Sequence, residues 1–272
     1  MNRTAKLLAL ALVLAPVVSQ AAVTVKGSDT MVILAQRWAE NYMKKNAGKK
    51  VQVTGGGSGT GIAALINGTT DVANASRPMK SDEKGKIRER FNVLPTETPV
   101  AKDGLAVYVH ESNGITQLTL AQLKTIYQGD VTNWKAVGGA DAPIVIYSRE
   151  NSSGTYVFFK DNVLNGEDFA ASAQTLPGTA AVVNAVSKEK NGIGYGGAAY
   201  AKGVKEVKVV GKDGQGYTPS ADNVKSGKYP LSRPLFVYTR GKPAGEAKDF
   251  IDYCLSAEGQ SIVTQVGYFP VK

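Results

Sequence analysis

The chain has 272 residues, 43% hydrophobic and 20% charged, and its 32 Lys and Arg against 23 Asp and Glu give a formal charge of +9. The one cysteine, Cys254, excludes an internal disulfide, and one histidine, His110, with no cysteine pair leaves too few ligands for a zinc site. The length suffices for a large buried core and two lobes of ordinary size, and the cation surplus favours anionic partners.

Arg3 and Lys6 precede an apolar run, Leu7 to Leu14, and Ser19-Gln20-Ala21 supplies the small-x-small pattern of a signal-peptidase site. The run is too short to span a membrane, and no later segment approaches the needed length. Residues 1–22 are therefore expected to be a cleavable export signal, with the mature chain in the periplasm and not inserted in the membrane. No cysteine follows the run to carry a lipid anchor. Export and the scatter of the lysines argue against nucleic acid as the anionic partner.

Val23 to Lys26 reads as a strand. Met31, Leu34, Ala35, Trp38 and Tyr42 follow at helical spacing. Val51 to Thr54 is the next strand, a helix is expected over 59–67, and Asp71 to Ala75 is a third strand. This order predicts a largely parallel sheet covered by helices. Ser81 to Arg90 reads as a polar helix, and Val93 to Val100, with two prolines, as an edge strand or connection. Leu105 to Val109 is a strong strand and marks the first crossing between lobes. A second α/β set comprises the helix Leu120 to Tyr127, the strand Ile144 to Tyr147, the helix Gly154 to Leu164, a helix near Ala180 to Lys188 and the strand Ile193 to Tyr195. Residues 211–230 read as a polar surface excursion. Leu235 to Tyr238 returns the chain, and helices over 244–255 and 259–266 are expected to pack on the first lobe. Cys254 and Trp38 fall on apolar helical faces and read as core. The expected division is 23–104 plus 237–272 for one lobe and 105–236 for the other.

Three segments share one chemistry: Gly27-Ser28-Asp29-Thr30, Gly55 to Gly61, and Ser152-Ser153-Gly154-Thr155. Each lies between a predicted strand and a predicted helix. A helix start offers unpaired backbone N–H groups and a partial positive charge, which together bind anions. Serine and threonine add hydroxyl donors, and glycine permits close approach. Each segment alone also fits an ordinary N-cap. Arg149 and Arg77 end strands beside these starts, where open α/β sheets place ligands, and arginine suits a tetrahedral oxyanion. Either could instead serve a surface ion pair.

These residues resemble the periplasmic phosphate-binding proteins of ABC-type phosphate importers. The resemblance spans nearly the whole mature chain. It rests on the first helix start with Trp38, on Gly55 to Gly61, on Ala75-Ser76-Arg77-Pro78, on Asn191 to Tyr195, and above all on Arg149-Glu150-Asn151-Ser152-Ser153-Gly154-Thr155. It implies a two-lobe α/β solute-binding fold of type II, each lobe a mostly parallel sheet flanked by helices, with ligand in the cleft. It implies anion contacts from Asp29, Thr30, Ser58, Arg149, Ser153, Gly154 and Thr155, to which the strand-end argument adds Arg77. Some members carry a carboxylate where this chain has Arg77 and a hydroxyl where it has Asp29, so the acid that takes the proton of bound phosphate is expected on the opposite wall.

The expected function is a monomeric, non-enzymatic receptor that passes inorganic phosphate to importer permease subunits, without cofactor or metal. Sulfate or molybdate as ligand, and phosphate sensing in place of transport, are the alternatives. A phosphomonoesterase is disfavoured, because Gly-x-Ser-x-Gly and Walker motifs are missing and His110 is the only histidine for a triad.

Overall fold

The computed structural model describes residues 22–271, so the expected export signal lies outside the described residues except for Ala22. The elements run β1 (Val23–Gly27), α1 (Val32–Lys45), β2 (Val51–Thr54), α2 (Ser58–Asn67), β3 (Val72–Ala75), α3 (Ser81–Phe91) and β4 (Pro95–Val109). They continue with β5 (Gln117–Leu118), α4 (Leu120–Gln128), β6 (Val145–Arg149), α5 (Gly154–Asn162), β7 (Gln174–Leu176), α6 (Gly178–Val186) and β8 (Gly192–Gly197). The last are β9 (Lys205–Val210), β10 (Gly216–Tyr217), α7 (Ala221–Lys225), β11 (Ser232–Arg240), α8 (Gly245–Leu255) and α9 (Ala257–Val266). No helix among the described residues is long and apolar enough to cross a membrane.

The strands order as β2-β1-β3-β11-β4-β8-β6-β7. β1 pairs parallel with β2 and β3, and β6 pairs parallel with β8 and β7. Between these parallel sets stand β11 and β4, antiparallel to each other and to their outer neighbours. The result is two small α/β lobes joined by the two long central strands. β4 is one continuous strand, where the sequence suggested an edge strand or connection followed by a separate strand. Its first half has β11 as its ladder partner, which leaves the other edge able to accommodate Pro95 and Pro99. β9 was not anticipated, although Val207 and Val209 alternate inward on it. The expected 211–230 excursion contains β10, paired with β9, and α7.

Each lobe has its own core. One gathers Val25, Leu34, Trp38, Val72, Val100, Phe250 and Val263. α1 enters it with Leu34, Ala35, Trp38 and Tyr42, the stripe a 3.6-residue period requires, and Trp38 Nε1 donates to Gly259 O at 2.8 Å. Cys254 is buried in this core too. The other gathers Leu105, Val107, Ile126, Trp134, Phe159, Tyr195 and Val207. Stacking of Phe159 on Tyr195, centroids 4.1 Å apart, fixes α5 against β8. The packing changes from one core to the other between Ala101 and Leu105 on β4, and between Leu231 and Leu235 on the return. Leu235 and Phe236, expected in the second lobe, pack with the first.

Candidate functional site

The ends of β1 and β3 lie side by side, Gly27 against Asn74, so the residues that follow them meet. Ser28 Oγ donates to Ser76 Oγ at 3.0 Å, Ser76 N–H donates to Ser58 Oγ at 3.0 Å, and the Ser58 and Ser76 hydroxyls stand 3.3 Å apart. All three serines are buried. Ser58 opens α2, whose N-cap, Gly57, sits at φ 94° and supplies no side-chain cap. No side chain caps this helix start, which keeps part of its anion-binding character although Ser152 O takes Gly59 N–H.

On the opposite side β6 ends at Arg149, buried in full. Its Nη1 donates to Thr179 Oγ1 at 2.9 Å, its Nη2 to Asp29 Oδ2 at 2.9 Å and its Nε to Glu150 Oε2 at 3.2 Å. Four residues on, Ser153 caps α5, its Oγ accepting from Thr155 N–H at 3.2 Å and Tyr156 N–H at 3.3 Å. The N-cap alternative therefore holds for Ser153. An oxygen that accepts twice keeps its own hydrogen free to donate.

The two walls meet. Thr30 Oγ1 lies 2.8 Å from Thr155 Oγ1, and Gly59 N–H donates to Ser152 O at 2.8 Å. Gly154 is pressed so closely to the first lobe that a Cβ there would stand 2.3 Å from Ser58 Oγ and 2.7 Å from Ser76 Oγ. Gly56 N–H donates to Asp29 Oδ1 at 2.8 Å, so Asp29 ties the glycine-rich loop to Arg149. Tyr200 donates to Asp29 O at 2.7 Å and Tyr268 to Thr30 O at 2.6 Å, which fixes the backbone of the first helix start. Burial pushes the Tyr200 hydroxyl up to about 12, so it remains a neutral donor.

Asp29, Thr30, Ser58, Arg149, Gly154 and Thr155 are thus gathered at one junction, with Ser153 at the same helix start. Arg77 is not among them. Its Nη1 donates to Glu83 Oε2 at 2.8 Å and Pro78 O at 2.9 Å, and its Nη2 to Glu83 Oε1 at 2.6 Å. Glu83 also accepts from Lys80 N–H at 2.8 Å, so Arg77 clamps the first turn of α3 to the end of β3. Sequence reasoning passed over Ser28 and Ser76, although both follow strand ends as the chosen residues do. It also missed Thr179, Tyr200, Tyr268, Asp103 and Arg233, which reach the site from distant segments and leave no local signal.

Arg149 faces two carboxylates, Asp29 and Glu150. The formal charge of this trio is negative, so an anion would be held by directed N–H and O–H donors rather than by excess positive charge. Among the described residues no cluster of His, Cys, Asp and Glu could hold a metal ion.

Two α/β lobes, joined by paired central strands and meeting through helix starts, define a solute-binding protein. Residues 15–258 match the model of the PBP superfamily domain. The chain belongs to that superfamily and, within it, to the family of the phosphate-binding protein PstS: it is 36% identical over 263 residues to the PstS of Pseudomonas aeruginosa, covering 90% of this chain and 81% of that one. PstS of Staphylococcus epidermidis is 34% identical over 246 residues, 87% of this chain and 75% of the relative. A Clostridium perfringens substrate-binding protein assigned to phosphate ABC transport, solved with bound phosphate, superposes with a TM-score of 0.85 at 34% identity, covering 93% of this chain and all of that one. An ABC-type phosphate transport receptor from Vibrio cholerae superposes with a TM-score of 0.73 at 30% identity, covering 91% and 99%.

Proposed function

We propose that the protein is a periplasmic receptor that closes its lobes on inorganic phosphate and delivers it, as a monomer, to the permease subunits of an ABC-type importer. One lobe comprises 23–104 with 235–271, the other 105–231, and residues 232–234 form the return crossing. The observation that carries the reading is the junction itself. Thr30 meets Thr155, Asp29 meets Arg149, and Gly154 sits on Ser58, each contact joining the two lobes. The names and ligands of the relatives favour phosphate over other oxyanions.

Bound hydrogen phosphate accepts hydrogen bonds from N–H groups at the starts of α2 and α5, from the hydroxyls of Ser58 and Ser153, and from the one hydrogen that the Thr30–Thr155 hydroxyl pair keeps beyond its mutual bond. Arg149 adds charge-assisted donation, each such bond contributing about 1.5–3 kcal/mol net, though coupled contributions do not sum simply. Asp29 is the acceptor. Arg149 and Gly56 N–H each fill one acceptor site on separate carboxylate oxygens, leaving one on each oxygen for the ligand's proton. Sulfate, fully ionised near neutral pH, offers no proton and would face Asp29 as a like charge. Sites that leave a buried polar group unpaired against the wrong ligand discriminate by about 10⁴-fold or more. Because each lobe supplies ligand contacts, binding favours the closed arrangement. Nothing in the chemistry proposed requires a bond to form or break, and the protein is a receptor rather than a phosphomonoesterase.

The test is calorimetric titration of wild type and Asp29→Asn with phosphate and with sulfate. Wild type should bind phosphate and exclude sulfate; the variant should bind phosphate more weakly and lose much of the exclusion. Wild type that fails to bind phosphate refutes the reading, and unchanged selectivity in the variant removes Asp29 from its role.

A further inference from the structure

The most deeply buried ion pair outside the anion-facing trio lies on the two strands that join the lobes. Asp103 on β4 and Arg233 on β11 stand directly opposite in the antiparallel ladder. Asp103 Oδ2 accepts from Arg233 Nε at 3.0 Å and from Nη2 at 2.9 Å, and both residues are almost wholly shielded from water. Removing two charges from water is expensive, and such a pair is often no more stabilising than an apolar pair of equal volume. Burial raises the Asp103 carboxyl above its ordinary value, and Arg233 opposes that rise.

The guanidinium also reaches the junction. Arg233 Nη2 donates to Thr155 Oγ1 at 2.9 Å, and the guanidinium carbon lies 5.1 Å from the ring centroid of Phe158, one turn along α5. Thr155 Oγ1 in turn stands 2.8 Å from Thr30 Oγ1. The two threonine hydroxyls have two hydrogens between them. One closes their mutual bond, whichever residue donates it. Arg233 fills an acceptor site on Thr155, so the remaining hydrogen is directed outward and is polarised by the guanidinium charge.

We propose that Asp103 and Arg233 form a positioning pair for the phosphate site: Asp103 fixes the guanidinium, and Arg233 sets the Thr155–Thr30 hydroxyl pair to donate to an anion oxygen. This deepens the function proposed above and rests on it. Arg233 is not itself a ligand contact, and acts through Thr155. Its position is set by the lobe-joining ladder, so the start of α5 is referenced to the strands along which closure occurs.

The test is phosphate titration of wild type, Arg233→Lys, Thr155→Val and the double variant. Arg233→Lys keeps a cation beside Asp103, so no buried carboxylate is abandoned, but the fork that serves Asp103 and Thr155 together is lost. Each single variant should bind about tenfold more weakly, the loss of one charge-assisted bond. The double variant should bind no more weakly than the poorer single one. A purely structural contribution would lower the melting temperature and give losses that multiply. The apolar pair Asp103→Val with Arg233→Met, closer in summed volume to the native pair, provides the same comparison if the lysine variant does not fold. Wild-type affinity in the Arg233 variants, or multiplying losses, overturns the proposal while leaving the receptor reading intact. A wild-type protein that does not bind phosphate overturns both.

Discussion

Replacing Gly154 with alanine isolates lobe closure from every other property of the site. Gly154 has none of the positive φ angles found elsewhere in the chain, so alanine is compatible with its backbone and with the first turn of α5. The obstacle lies across the junction. An added Cβ would stand 2.3 Å from Ser58 Oγ, 2.7 Å from Ser76 Oγ and 2.9 Å from Ser58 Cβ, where ordinary contact begins at 3.4 Å. The lobes must therefore separate by about 1 Å at this point, because ordered packing leaves no slack to absorb the methyl. The same displacement would stretch the 2.8 Å bonds Gly59 N–H to Ser152 O and Thr30 to Thr155 beyond hydrogen-bond range. Two such bonds contribute about 1 kcal/mol each, and bonds from both walls to a shared anion lengthen with them. The expected loss is about 2–3 kcal/mol, or roughly 30- to 150-fold in Kd. Calorimetry measures the affinity, and small-angle scattering with and without phosphate measures closure. Ligand-free melting temperature should stay at or slightly above that of wild type. An alanine variant that binds phosphate with wild-type affinity would refute the argument, since it would mean that the close approach of Gly154 to Ser58 is not required for binding.

Arg77→Met should lower the melting temperature through loss of the clamp on Glu83 yet leave phosphate Kd within about threefold, equivalent to less than about 0.7 kcal/mol; a larger loss by calorimetry would return Arg77 to the ligand set. Trp38→Ala removes the indole shared by α1 and the α9 end of the first lobe core, including the bond to Gly259 O, and should destabilise by about 3–5 kcal/mol in urea unfolding, with a value under about 2 contradicting that packing role. Glu206 is raised from its ordinary value by burial. A raised folded-state carboxyl contributes stability that is full below the unfolded value and is lost as pH rises through the folded one, so Glu206→Gln should match wild type in melting temperature in acid and exceed it near neutrality. A difference that does not change with pH would rule out that origin.

Much of the first lobe was legible because its periodicities are local. Strand alternation, the Trp38 stripe and three Ser/Thr/Gly-rich helix starts each fit within a short window. The continuity of β4 was not legible, because Lys102-Asp103-Gly104 has the composition of a turn. What holds Asp103 inside a strand is Arg233, 130 positions away. Arg77 shows the same limit from the other side. A strand-end arginine suits an anion and an ion pair equally well, and the partner in the structure is Glu83, which α3 brings alongside with its first turn. Thr179 completes the hydrogen bonding of Arg149 from a helix start that resembles any other in sequence. Sites assembled from segment ends are readable where the segment itself has the right chemistry, and unreadable where a distant side chain only supports it.

The charge distribution divides the work of recognition between surface and junction. The chain as a whole carries a formal charge of +9, yet the trio of buried Arg149 with the part-exposed Asp29 and Glu150 sums to a net negative charge. Scattered surface cations act on an approaching anion within a Debye length of about 8–10 Å and raise its local concentration, but they cannot tell one oxyanion from another. Discrimination has to come from the junction, where the net charge gives no advantage to an anion and only a matched set of donors does. On the function proposed above, Asp29 becomes decisive: Gly56 N–H and Arg149 both donate to it, and a ligand with a proton to give would complete its carboxylate while accepting on its other oxygens. Hydrogen phosphate meets that pattern, and an anion with no proton to give does not.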